Sequence, residues 1–480
     1  MCYNEVVLLY TKIATPKPFN EGAPKINAPS IFGASPEKPI IYKIPVTGKR
    51  PMKFTANLPK GLSVDKNGII TGKAQEGQYN VTVTAENEHG KDKKDILFRI
   101  RPDGVCLTPL LGWTTWNAFK DQINQAKILE TAHLFISTGL AEYGYSYVNI
   151  DSDWQGEYGG KFDAIMPNPE KFPDMKAMCD EIHSLGLKAG IYSTPMLRAF
   201  GVCKTLPGCT RGEWNPKYRA SLGVGFERKD ENCAKQWAQW GFDYLKYDWS
   251  HTDSENAILM KEALKKQNRD FAYSVTTNCR IEEKETWQQN CSSVRSNWDS
   301  QPRWDFIMKI CFACDKWLGV GSLGHYFDLD MLETGIMHGY TENPLTKDEQ
   351  LVAYTARIIF PSPIQISCDL SKLTDFDIAM LCNEEVLAVN QDSLGEDSIC
   401  TYKYRTENSD RKLETFIKIY ERKLEDGKTA VAIFNIGNTC EDITVECESA
   451  RDLWAKENLE VNDGKITFTL PPHTVRLIKK

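Results

Sequence analysis

Long hydrophobic runs are missing from this chain. The longest near its start, Val6 to Leu9, is far too short for a membrane span or for the apolar segment of a secretion signal. The alternatives are a cytosolic protein or one whose leader has been removed. An excess of positive charge is missing too, and the net charge of −7 argues against nucleic acid as the main partner. Metal patterns are scarce: the histidines show no H-E-x-x-H spacing, and Cys311 and Cys314 lack a second Cys/His pair to complete a zinc site. Both cysteines therefore read as core residues. Gly319–Gly324 matches G-x-G-x-x-G, but it follows a helix and precedes a strand, the reverse of a pyrophosphate site, so it reads as a turn. No metal and no cofactor are expected.

What is present is an ordinary globular composition on a chain of 480 residues, long enough for two to four domains. Twelve tryptophans and nineteen tyrosines supply flat apolar faces that suit sugar rings, although most tryptophans in any protein simply pack. Fifteen scattered cysteines do not settle the compartment. Cys203 and Cys209 bracket a Pro-Gly loop, where they could be bridged or free.

Residues 1–25 show no sustained period and read as a loosely held arm. From 26 to 102 short alternating runs such as Tyr79-Asn80-Val81-Thr82-Val83-Thr84 predict an antiparallel β-sandwich. Leu58 to Ser63 and Gly68 to Gly72 resemble the Ig-like modules attached to many bacterial surface and periplasmic enzymes, which implies an accessory domain that either binds carbohydrate or spaces the next one. From 103 to 395 the rhythm becomes strand, loop, helix. Eight apolar runs, at 111–115, 145–154, 187–193, 242–249, 271–277, 292–299, 324–330 and 363–370, alternate with amphipathic stretches such as 122–140 and 348–359. This predicts a (β/α)8 barrel over a doubly wound open sheet. From 396 to 480 the helical period stops and a C-terminal antiparallel β domain is expected. The fold class is thus a central barrel flanked by two β-sandwiches.

Catalytic side chains of a barrel belong at the C-terminal ends of its strands. The second run ends in Asp151-Ser152-Asp153, the fourth in Lys246-Tyr247-Asp248, the sixth contains Arg295 and ends in Asp299, and the seventh ends in Asp328-Leu329-Asp330. One such Asp is ordinarily a solvated loop residue or a helix cap. A set recurring at one mouth points instead to carboxylate-pair chemistry, above all glycoside hydrolysis. That reaction needs one ionised carboxyl and one that holds a proton. Lys246, two residues before Asp248 on the same face, favours an ionised Asp248 as nucleophile, unless it merely pairs with another acid. Asp299 lies beside Trp298, whose cover would raise its pKa as an acid/base requires. His251, close behind Asp248, reads as structural.

Thr108–Asn117, Asn149-Ile150-Asp151, Gly190-Ile191-Tyr192, Tyr244–Trp249, Asp328–Leu332 and Val389–Asp392 together resemble glycoside hydrolase family 27, over about Thr108 to Gly395. The resemblance implies a retaining double displacement, with Asp248 in the nucleophile's K-Y-D motif and Asp299 in the acid/base's R-x-x-x-D motif. Trp116, Asp151, Tyr192, Lys246, Arg295 and Asp330 match sugar-contacting positions. Three departures bear on the sugar. Ser152 replaces the second of a usual pair of acids that hold the 4- and 6-hydroxyls. Ser250 replaces a Cys often bridged to the preceding loop. Thr276, followed by Cys279, replaces bulkier residues near the 2-substituent and would leave room for an N-acetyl group.

The expected activity is release of terminal α-linked galactose. Thr276 motivates an α-N-acetylgalactosaminidase instead, Ser152 a β-L-arabinopyranosidase, and the aromatic content a non-catalytic sugar-binding protein. A retaining enzyme should hold the Asp248 and Asp299 carboxyls about 5–6 Å apart, an inverting one nearer 9 Å. The expected partner is a carbohydrate substrate and the expected location periplasmic or secreted, with the cytoplasm left open. The oligomeric state is not legible.

Overall fold

The computed structural model describes residues 11–14, 21–203 and 205–480. Most of the expected arm falls outside them. Its piece 11–14 is held by the C-terminal domain, where Ala14 N donates to the Trp454 carbonyl at 2.8 Å and Thr11 Oγ1 to the Val475 carbonyl at 3.0 Å, while 21–25 joins the N-terminal sandwich, Lys25 pairing with Thr47.

The N-terminal sandwich is built around one long hairpin, Gly77–Asn87 with Gly90–Ile100. Its alternation buries Val81, Val83 and Ala85 on one strand and Ile96 and Phe98 on the other, while Thr82, Thr84, Leu97 and Arg99 alternate with them toward the opposite face. Ile31–Ala34 and Lys53–Ala56 flank the hairpin, and a three-stranded sheet of Ile40–Lys43, Ile69–Gly72 and Leu62–Val64 covers it.

All eight expected barrel strands form, in parallel and in chain order: Leu111–Thr114, Tyr147–Asn149, Lys188–Ser193, Tyr244–Asp248, Ala272–Thr276, Ser293–Arg295, Tyr326–Asp328 and Ile364–Ile366. The first pairs with the eighth, and a parallel bridge between Leu332 and Ile366 joins the remaining seam. Several helices between them start at side-chain caps: Asn124 caps Gln125–Ser137, Asp253 caps Ser254–Lys265, and Thr346 with Glu349 forms a capping box on Lys347–Ile359. Two hairpins decorate the loops at the catalytic end, Gln155–Gly159 with Ala164–Pro167 and Thr210–Trp214 with Gly225–Arg228.

Helix Lys347–Ile359 reads as amphipathic, yet it is buried all round after Lys347. Its outer face packs on strands Thr429–Asn435 and Thr474–Lys479 of the C-terminal domain. In that domain Ile417 and Ile419 face the sandwich interior. Lys418 and Tyr420 alternate with them toward the barrel, and both reach the Asp315 carboxylate, at 2.7 and 2.8 Å.

Cys203 and Cys209 are both free, contrary to a bridge. The Cys209 thiol is buried against Ser193 Oγ at 3.1 Å, and Cys203 is exposed beside Thr205. Asp397 accepts from the backbone N–H groups of Gly319 and Gly321, so the glycine-rich segment is a turn that anchors the domain linker.

Candidate active site

The site is built from groups at the ends of several barrel strands, and the strand period decides which way each one points. Lys246 and Asp248 lie two apart on the fourth strand and face the same pocket of about 540 Å³. Trp116, Asp151, Tyr192 and Asp299 line it too.

The two chemistry-bearing carboxylates meet across one hydroxyl. Thr277 Oγ1 lies 3.3 Å from Asp248 Oδ1 and 3.5 Å from Asp299 Oδ1, so those oxygens are no more than 6.8 Å apart. Thr277 is itself held by Thr252, whose hydroxyl donates to its carbonyl at 2.7 Å. Tyr192 donates its phenol to Asp248 Oδ2 at 3.1 Å; burial, with the Asp248 charge beside it, pushes that phenol's pKa well up and keeps it a neutral donor.

Beneath this pair lie two buried ion pairs. Lys246 Nζ donates to Asp151 Oδ2 at 2.8 Å, with only 4% of the Asp151 side chain exposed. Arg295 bonds Asp330 at 2.7 Å and reaches up to Asp299 at 3.1 Å. Asp330 also accepts from the backbone of Met331 and Ser300, both at 2.7 Å, so it ties the loop that carries Asp299 to the barrel. Arg295 and Asp330 thus lie under the pocket as positioning groups and do not line it.

Several expectations are corrected here. Lys246 pairs with Asp151 and not with Asp248; burial pushes the Asp248 carboxyl above its usual range, and the Lys246 charge does not overcome it. Trp298 does not cover Asp299, whose side chain is 76% exposed. Partial enclosure works to raise the Asp299 pKa, but the Arg295 guanidinium and Lys246 ammonium outweigh it and hold the carboxyl below the usual value. In the free enzyme the two proton affinities therefore stand opposite to the expected order. Ser152 does not face the pocket: it is buried and its hydroxyl donates to the Phe200 carbonyl. Thr276 is buried in a small chamber below, and Cys279 points away to the Val275 carbonyl, so neither opens space beside the sugar.

Thr277, Lys120 and Tyr340 line the pocket although nothing in the sequence marked them, and Ser250, read only as the replacement of a cysteine, lines it too. Thr277 was passed over for its neighbour because nothing in the sequence tells two adjacent threonines apart at a strand end. Lys120 presents an ammonium over the Trp116 ring, 4.6 Å from its centroid and bonded to the Asn117 side chain; burial lowers its pKa. Ser250 accepts from Ser221 N at 2.6 Å, a hydrogen bond between the loops that a disulfide is implied to link in relatives. A second cavity of about 480 Å³ opens between the Ig-like domain and the barrel base. Four acids line it: Glu384 and Glu385 are in ion pairs with Lys25, Lys456 and Arg451, and Asp392 accepts from the backbone N–H of Glu425, the fourth.

The profile of the family described as "Alpha galactosidase A" matches residues 108–392. The chain belongs to that family, glycoside hydrolase family 27. This family 27 protein is therefore a glycoside hydrolase. Its flanks match a "Putative Ig domain" at 23–101 and an "Alpha galactosidase C-terminal beta sandwich domain" at 415–479. It is similar to alpha-galactosidase 2 of Arabidopsis thaliana, 29% identical over 78% of this chain and 90% of that one. It is also similar to alpha-galactosidase A of Cellvibrio japonicus, 30% identical over 69% and 76%. A crystal structure from Bacteroides fragilis, described as a "putative alpha-galactosidase", superposes with a TM-score of 0.83 at 29% identity and covers 97% of this chain and 99% of that one.

Proposed function

We propose that this hydrolase releases terminal α-linked galactose from oligo- or polysaccharides by a retaining double displacement, with Asp248 as nucleophile and Asp299 as acid/base. The observation that carries this is the shared Thr277 hydroxyl, since a separation of 6.8 Å at most suits the roughly 5–5.5 Å of retaining pairs better than the roughly 6.5–9.5 Å of inverting ones. Positive charge developing at the sugar carbon favours the Asp248 anion, and the leaving oxygen draws Asp299 away from Arg295, which restores the proton order the reaction needs. Asp248 attacks the anomeric carbon while Asp299 protonates the leaving oxygen; water assisted by Asp299 then frees the sugar.

Proton NMR of the first product tests this: the α-anomer should appear before mutarotation, and a β-anomer first would overturn retention. Asp248→Asn should lower kcat by roughly four orders of magnitude or more while leaving the fold intact. Ser152 favours a second reading, a β-L-arabinopyranosidase, because it is buried outside the pocket lining with its hydroxyl turned to Phe200, and so brings no carboxylate to a 6-hydroxyl. A panel of nitrophenyl glycosides separates the two. A periplasmic or secreted location belongs to the same proposal; the Ig-like module supports it, and recovery from the cytosol alone would contradict it.

A further inference from the structure

The acid/base must touch the glycosidic oxygen, so whatever leaves the sugar must lie beside Asp299. Its neighbour in the chain, Trp298, is 58% exposed, and Tyr340, from the loop after the seventh strand, is 46% exposed. Both line the pocket that holds Asp248 and Asp299. Two large aromatic side chains left open to water are unremarkable when scattered over a convex surface. At the rim of a concave site, on two different loops, they mark a surface kept for a ligand.

The rest of the pocket narrows what that ligand is. Asp151, Lys246, Tyr192 and Asp248 converge below the rim, where the proposed function seats one sugar. At about 540 Å³ the pocket extends beyond that convergence toward the two rings. Gln301 and His338 share the rim and place polar groups around the aromatic faces. A ligand with flat apolar faces and a polar edge fits this mixture, whereas an acyl chain would need a continuous apolar channel.

We propose that Trp298 and Tyr340 are the residues that seat the leaving sugar ring, as a platform beside Asp299. The inference rests on the α-galactoside reading and on Asp299 as proton donor. Two substrates test it: galactose-α-1,6-glucose, whose leaving group is a ring, and α-galactosyl fluoride, whose leaving group has none. Trp298→Ala and Tyr340→Ala should each lower kcat/KM for the disaccharide about tenfold more than for the fluoride, chiefly through KM. Trp298→Phe should recover most of the loss. Tyr340 is remote in sequence from Asp299, so its variant guards against a simple displacement of the acid/base. Equal losses on both substrates would overturn the platform and leave the hydrolase reading standing. A wild type inert toward both would overturn the α-galactoside reading, and the platform with it.

Discussion

The floor and the rim of the pocket are built on opposite principles. On the floor, Asp151 with Lys246 and Asp330 with Arg295 form close ion pairs whose carboxylates are almost wholly buried. At the rim, Asp299 is three-quarters exposed, Trp298 and Tyr340 face solvent, and Lys120 has an amide for a partner. Buried pairs add little net stability, since desolvation offsets attraction, but they fix geometry because breaking one strands a charge. The floor is thus fixed in shape in advance, as the proposed seat for one sugar requires. The rim is left adaptable, as suits a leaving group that differs from substrate to substrate.

Three substitutions would break or sharpen this contrast. The largest effect is expected on the floor, where Arg295→Met leaves Asp330 buried without its partner and should destabilise the fold by about 3–5 kcal/mol, read by urea denaturation. A loss near zero would show that the pair is not rigid.

Next comes Glu333, three residues beyond Asp330, a fully buried carboxyl whose ion-pair partner Arg357 stands off at 3.9 Å. Burial pushes its pKa up from 4.5 to about 7, against the pull of Arg357. Because the folded state holds this proton more tightly than the unfolded chain, the contribution is fully present below pH 4.5 and is lost as the pH rises through 7. Up to about 3 kcal/mol is at stake across that window. Glu333→Gln should flatten this slope in a pH series of unfolding curves, and an unchanged slope would assign it to other groups.

The smallest effect on stability is expected at the rim. Asp299→Ala should change the unfolding free energy by no more than about 0.5 kcal/mol. The same variant should lose the basic limb of the kcat/KM profile against pH, since that limb reports loss of the proton from the acid/base. Because Arg295 keeps the Asp299 pKa low in the free enzyme, the wild-type limb should lie in the acid range.

Much of this contrast is legible in the sequence. Alternating apolar runs gave all eight barrel strands, and K-Y-D and R-x-x-x-D singled out the two carboxylates that Thr277 joins. The errors share one cause. Which acid Lys246 would choose, whether Trp298 would cover Asp299, and which of two threonines would reach the pocket all depend on groups brought together from separate strands. Ser152 failed in the same way, since its partner Phe200 lies on a loop 48 residues away.

By itself the sequence determined the periodicities, hence the elements, and the residue types at each strand end, because local spacing alone decides which face a side chain takes. Only the tertiary structure decided the pairings and the proton affinities. These depend on burial and on charges a few ångströms away, and neighbours in space along a barrel's mouth are not neighbours in the chain. The helix Lys347–Ile359 makes the same point for packing: its pattern promised one wet face, and the C-terminal domain covered it.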